Sequence, residues 1–373
     1  MKNRKVVFTA KGQIELQSVD FELPKLGENE VLIRNHYSLI SSGTELACLN
    51  GLESSWFHMP AVPGYIGVGE VVAKGENVND LREDEIVYHF GGHSEYLVLP
   101  SSNCFSVPAE IEEKYVPFVR IATIALAAIR VSNITFGDYV AVTGQGLVGI
   151  MTAQLAHLQG AQAIGIDHHE NRLDIAKQCQ VDFVVNSAEK DMKQELERLT
   201  GGRMVNTFVE AIGNTKLLAE ATQCMARNGE IIILGTPRTE YTTNCSDLFM
   251  KVFHSGSDIR FKGAHEWRDS FEEDRFARYS ISGNTKTVMQ YMANGRLLYK
   301  PLLTHVVRPE NARQSIRICK RTRMHTWALC LTGRKTDFTP EIGNRAALCT
   351  PQRCSDGSRS RRIVWRKLCS IDS

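Results

Sequence analysis

The chain has no apolar run long enough to span a membrane, and Met1-Lys-Asn-Arg-Lys5 leads straight into an apolar stretch rather than a signal peptide. None of its ten cysteines forms a Cys-x-x-Cys pair, the spacing of many zinc and redox sites. Ten in 373 residues do not make a disulfide scaffold. With 43% hydrophobic and 23% charged residues, it is neither a disordered nor a membrane composition. A cytoplasmic globular protein of two domains is expected. Strong net charge is also missing, since the formal balance is +2. That balance hides an asymmetry. From Arg313 onward there are 14 Lys and Arg against 4 Asp and Glu, with five of the ten cysteines. The residues before it hold the other 30 basic and 38 acidic side chains.

The most informative stretch is Val140-Ala-Val-Thr-Gly144-Gln-Gly146-Leu147-Val148-Gly149, an apolar strand entering a Gly-x-Gly-x-x-Gly turn ahead of a helix. Gly144 permits the tight turn, Gly146 lets a pyrophosphate approach the backbone, and Gly149 lets helix and strand pack closely. The helix N-terminus, including Leu147 and Val148, then faces the phosphates. A second strand ends in Asp167, roughly 20 residues beyond the glycines, where a ribose hydroxyl needs an acceptor. A carboxylate there repels the additional phosphate of NADP, so NAD is the expected cofactor.

Residues 1–118 read as β-rich, with short apolar or alternating runs at 6–8, 14–16, 30–33, 69–72, 85–88 and 96–99. A helix is expected over 119–131. From 140 onward strands and helices alternate, which predicts right-handed crossovers and a parallel sheet covered on both faces. Its strand ends carry Gly144–Gly149, Asp167, Ala211–Gly213 and Gly235 on one rim, where such sheets bind ligands. A strand over 259–263 closes the sheet. Residues 287–294 read as a helix, and 302–307 as a strand returning to the first domain.

With these features together, the chain resembles the medium-chain dehydrogenase/reductase superfamily over residues 1 to about 312. Further landmarks are Ser42-Gly-Thr-Glu45, Pro63-Gly-Tyr-Ile-Gly-Val-Gly69 and Gly92-His-Ser-Glu-Tyr96. It is most similar to zinc-type alcohol dehydrogenase-like proteins bearing Ser-Gly-Thr-Glu, and also to bacteriochlorophyllide and polyol dehydrogenase relatives. The resemblance implies an α/β architecture: a GroES-like β-rich catalytic domain (1–118, with a return segment over about 266–312) and a Rossmann doubly wound domain (119–265). It implies an NAD-dependent oxidoreductase acting on an alcohol or carbonyl, assembled as a homodimer or homotetramer.

The zinc ligands of that family are replaced. Ser42 stands where zinc-dependent members have Cys, Tyr65 replaces the His of Gly-His-Glu, and the third ligand falls near Val119–Arg120. Such a set cannot surround a catalytic zinc. No metal is expected, the alternative being a rearranged site from Glu45, His93 or Glu95. Thr44 matches the family residue that hydrogen-bonds the substrate oxygen. Tyr65 offers a phenol beside it as proton donor, oriented by Ser42. The alternatives are a barrel-wall tyrosine and a turn threonine. Arg172 matches an adenine-side arginine, Gly213 and Gly235 line the cofactor, and Glu45 and His265 are candidate substrate contacts.

After Asn311 the resemblance stops, and no helix or strand period is evident. A frameshift near Ala312–Ile316 is expected, leaving 313–373 an aberrant basic tail. The rival readings of the tail are a nucleic-acid arm and a zinc site from Cys330, Cys349, Cys354 and Cys369. For the whole chain, the alternative to an enzyme is a nucleotide-binding protein that no longer catalyses.

Overall fold

The computed structural model describes residues 2–53, 56–254, 256–322 and 327–330. It opens with an antiparallel hairpin, β1 (Lys2–Ala10) and β2 (Gln13–Asp20). β3 (Glu30–Leu39) runs into α1 (Ser42–Leu49). Next come β4 (Gly67–Lys74), β5 (Ile86–His89), β6 (Tyr96–Pro100) and β7 (Cys104–Ser106). β3, β4 and β5 are buried over runs of consecutive residues, whereas β2 and β6 are largely open.

α2 (Phe118–Val131) is buried along most of its length, as a helix apolar nearly all round must be. It introduces the alternating half: β8 (Tyr139–Thr143), α3 (Leu147–Leu158), β9 (Gln162–Asp167), α4 (Glu170–Gln178), β10 (Phe183–Asn186) and α5 (Met192–Leu199). Then follow β11 (Val205–Glu210), α6 (Thr215–Ala221), β12 (Met225–Ile233), α7 (Cys245–Phe253) and β13 (Arg260–Gly263). The return consists of α8 (Ile281–Ala293), β14 (His305–Val307), α9 (Ala312–Thr322) and β15 (Trp327–Cys330).

The six middle strands form one parallel sheet in the order β10-β9-β8-β11-β12-β13. The order reverses between β8 and β11, and open sheets of this kind leave a ligand crevice at the carboxyl ends of the strands at that point. The other large sheet runs β14-β15-β3-β4-β5-β7, with β6 also paired to β3. One hydrophobic cluster joins the sheets through α2, α3 and α8, from Ile66 and Tyr88 to Val140, Ile150 and Val288. The expected α/β architecture is therefore present. No helix among the described residues is long and apolar enough to cross a membrane.

The Glu45 carboxylate accepts the Ser41 N–H at 2.7 Å and closes the first turn of α1. α6 stops at Ala221, and Met225 opens β12. One local reading needs correction: periodic structure continues past Asn311. Ala312 and Ile316, one helical turn apart on α9, are buried against Val6, Phe8 and Leu49, and β15 fills the place between β14 and β3. The remainder of the basic tail, with Cys349, Cys354 and Cys369, lies outside the described residues.

Candidate active site and cofactor crevice

The glycine turn leaves β8 at the reversal point. Gly144 takes φ +86°, and a methyl group on Gly149 would stand 1.8 Å from its carbonyl oxygen, so helix and strand touch through these two residues. Gly146 caps α3 without any side-chain cap, and the space around its Cα is open. The first-turn N–H groups are thus left for an anion. Gly144, Gly146, Leu147, Val148 and Gly149 make up this turn, and its open N–H groups are of the kind that fit a phosphate.

Asp167 ends β9 beside that turn and is almost fully buried. Its Oδ2 accepts the Gln145 N–H at 2.9 Å and Arg172 Nη1 at 3.2 Å. Its Oδ1 accepts the His169 N–H at 3.0 Å and lies 3.1 Å from His169 Nδ1. Burial pushes this carboxyl up, but Arg172 and the bonds from His169 outweigh it and hold the group below its ordinary value. The carboxylate is already committed to four partners, so a ribose hydroxyl has to displace His169 or Arg172. Asp167, His168 and His169 also make up the one group of three potential metal ligands among the described residues.

The other wall of the crevice is held by a residue to which sequence reasoning assigned no role. Glu210 ends β11 fully buried, and its carboxylate accepts the N–H groups of Ile212, Gly213 and Asn214 at 2.9–3.2 Å. Burial pushes its pKa up, and these N–H bonds pull the other way. The Gly235 N–H reaches the Glu210 carbonyl at 2.8 Å. A methyl on Gly235 would lie 2.3 Å from the Gly213 nitrogen, so these two glycines press the loops after β11 and β12 together. An acid directly after the apolar pair Phe208-Val209 at the end of β11 was the available signal, since a buried carboxylate needs donors.

In the first sheet, the half-buried Tyr65 shares a 2.6 Å hydrogen bond with Ser41, not with Ser42 as the sequence reading had it. Burial raises the phenol's pKa, while hydrogen bonds with Ser41 and Thr44 and the charge of Arg120 act against it. Tyr65 and Thr44 therefore do meet. Ser41 takes the orienting place because it precedes α1 and faces back across the turn. Glu45 is buried, with one oxygen on the Ser41 N–H and the other 2.9 Å from His93 Nε2; His93 Nδ1 lies 2.7 Å from Ser38 Oγ. Both Glu45 oxygens are thus engaged inside the protein, which argues for a positioning role rather than the expected substrate contact. Glu95 is drawn instead to Arg4, 2.9 Å away, so the conceivable Glu45–His93–Glu95 ligand set is not assembled. His265 lies exposed just beyond β13.

At the three positions where the sequence resemblance leads one to expect zinc ligands, this chain presents Ser42, Tyr65 and the Val119–Arg120 pair, with Val119 fully buried. Arg120 is 2% exposed and bonded through Nη2 to Glu266 Oε1 at 2.5 Å. A hydroxyl, a phenol and a guanidinium do not fit the donor set of a catalytic zinc. The resemblance to known proteins spans both halves of the molecule. A zinc-binding dehydrogenase family model matches residues 148–273. The L-threonine 3-dehydrogenase of Pyrococcus horikoshii is 25% identical over 320 residues, covering 77% of this chain and 86% of that protein. Two solved structures share the fold at 18% identity. One is a zinc-binding dehydrogenase of Sinorhizobium meliloti bound to NADP, with TM-score 0.73 over 89% of this chain and 100% of that one. The other is an alcohol dehydrogenase of Escherichia coli complexed with NADH, with TM-score 0.75 over 88% and 99%. The glycine cradle, the reversed strand order and these relatives agree: the chain is similar to zinc-binding dehydrogenases of the medium-chain dehydrogenase/reductase superfamily, and its relatives support a dehydrogenase-like oxidoreductase.

Proposed function

We propose that the protein is an NAD-dependent oxidoreductase that interconverts a small alcohol and its carbonyl without a catalytic zinc. The observation that carries this reading is the uncapped, open first turn of α3 at Gly146, placed at the reversal of the parallel sheet. Nicotinamide, when bound, supplies or accepts the hydride. The rest is done by the chain. Gly144–Gly149 hold the phosphates, Gly213 and Gly235 shape the opposite wall, and Asp167 with Arg172 receives the adenosine end. Asp167 favours NAD because a 2′-phosphate would face a carboxylate. Thr44 and Tyr65 hold the substrate oxygen and move its proton, with Ser41 keeping the phenol in place. Glu45 and His93 fix the start of α1, and so the position of Thr44.

The two-domain division at about 118, with a homodimer or homotetramer in the cytoplasm, belongs to the same reading. It is tested by measuring oxidation of NADH and NADPH with a panel of aldehydes, ketones and keto-sugars, alongside NADH binding by fluorescence. Turnover that prefers NADH and survives dialysis against a chelator is expected. Binding without turnover of any carbonyl supports instead a nucleotide-binding protein that has lost catalysis, a reading motivated by the replaced zinc ligands. Absence of binding refutes both.

A further inference from the structure

Ten of the fourteen residues of α2 are buried, and the one charge among those ten is Arg120. Burying an ion is expensive unless something nearby needs it. Its guanidinium carbon lies 4.6 Å from the ring centre of Phe90, 5.2 Å from that of Trp267 and 5.7 Å from that of Tyr65. Nη2 is committed to Glu266, but Nε and Nη1 are buried without a hydrogen-bond partner, and so is Glu266 Oε2. Donors left unpaired in an apolar box cost stability, which marks a missing acceptor.

We propose that Arg120 is the catalytic cation of this enzyme, receiving the reacting oxygen of the substrate on Nε or Nη1 at the place where zinc-dependent relatives keep their metal. This assignment rests on the oxidoreductase reading above. Three observations support it. The charge sits at the third ligand position and next to Tyr65, the residue that replaces the metal-binding histidine. Low-dielectric walls strengthen its field, and its donors are fixed in advance by the rings and by Glu266. Burial also pushes the Glu266 carboxyl up to about 7, so near neutral pH the guanidinium is only partly neutralised by its partner.

The step balances with the chain's own groups and the dihydronicotinamide already named as reductant. Hydride bonds to the carbonyl carbon, and the C=O π pair moves onto oxygen beside Arg120. Tyr65 Oη gives its proton to that oxygen and becomes a phenolate. The phenolate recovers a proton from water by way of the Ser41 or Thr44 hydroxyl. Oxidation runs the same path in reverse. Glu266 is a positioning residue, since it acts through Arg120.

Formate, a small oxyanion able to accept a hydrogen bond from the guanidinium, is the probe. Trp267 reports on it because its ring is a wall of the box and 54% exposed. On the full chain, formate titration is expected to shift tryptophan emission saturably, with the signal abolished by W267F. Removing Arg120 alone strands Glu266, so the informative variant is R120M/E266Q, which exchanges the pair for neutral groups of similar size. It is expected to weaken formate at least about tenfold with an unchanged melting temperature, while E266Q alone keeps the response. If the double variant does not fold, R120K serves, since it keeps the charge but loses Nε and is expected to bind formate several-fold more weakly. With a carbonyl substrate in hand, the double variant is expected to lose kcat and regain it with added guanidinium but not with ammonium at equal ionic strength. A wild-type chain that ignores formate, or a folded variant that binds it as well as wild type, overturns the proposal. Formate binding that requires Arg120 in a chain that reduces no carbonyl keeps Arg120 as an anion site and refutes the oxidoreductase reading instead.

Discussion

Two alanine substitutions in the turn and first helical residues after β8 should separate phosphate binding from packing. Gly146 has φ −82° and ψ −166°, extended backbone that alanine adopts without strain, and an added methyl meets nothing within 4 Å. G146A should therefore fold as well as wild type or be more stable by up to about 1 kcal/mol, because the unfolded chain loses freedom. The same methyl enters the space a pyrophosphate needs. Loss of one or two charge-assisted N–H bonds, each worth about 1.5–3 kcal/mol, predicts a fall in NADH affinity of about 10- to 10⁴-fold. G149A inverts the pattern. Its methyl lands 1.8 Å from the Gly144 carbonyl oxygen, a backbone atom that cannot swing aside. Overpacking of this kind costs about 1–3 kcal/mol, or roughly 2–4 °C of melting temperature per kcal/mol in a domain of this size. Circular-dichroism melting and NADH fluorescence titration of both variants provide the assay. If G146A binds NADH as tightly as wild type, phosphates do not lie at this turn and the cofactor reading fails.

Y65F removes the bond to Ser41 while leaving the ring in place, and should lower kcat about 10²-fold with little change in melting temperature. Unchanged kcat assigns the proton to Thr44. D167S should raise the kcat/KM for NADPH relative to NADH at least about tenfold. No change means that Arg172 and the neighbouring histidines, not the carboxylate, set the preference. Glu266 titrates near 7 in the folded chain against an ordinary 4.5, so the native state holds more protons between those values. Its contribution is therefore fully present below about pH 4.5 and is lost as the pH rises through 7, on the order of 3 kcal/mol. Urea midpoints measured from pH 4.5 to 8 should show this fall in wild type and not in E266Q. Finally, the coding DNA read in its other frames from Ala312 should yield an apolar terminal strand. Its absence removes the frameshift explanation for the basic tail.

The strands and glycines were legible because their signals are local. Val140–Gly149 carries both an apolar run and its turn chemistry, and Asp167 follows at a distance set by one helix. That the middle strands form a parallel sheet could be anticipated from alternation alone. What could not be read were contacts between residues far apart in the chain. Ser42 was chosen over Ser41 because spacing cannot say which hydroxyl faces across the turn to Tyr65, 24 residues away. Arg120 was noticed only as something that cannot bind zinc, since its partner Glu266 lies 146 residues on. α1 escaped because its stability comes from a carboxylate reaching back to Ser41 rather than from an apolar stripe. Residues 312–322 looked aperiodic, yet Ala312 and Ile316 are buried on a hydrophobic surface that includes residues of β1, β2 and α1.

The Glu210 arrangement has a bearing on how the crevice adapts to what enters it. One carboxylate gathers three amides of its own loop, its carbonyl takes the amide of Gly235, and two glycines leave no gap between the loops. That side is a single stiff piece, so a guest loses little freedom in meeting it and cannot reshape it. Adjustment to guests of different size then falls to Thr44 on α1 and Tyr65 in the loop before β4. Variation in substrate among related proteins would accordingly be written there, and the nucleotide side would tolerate almost none.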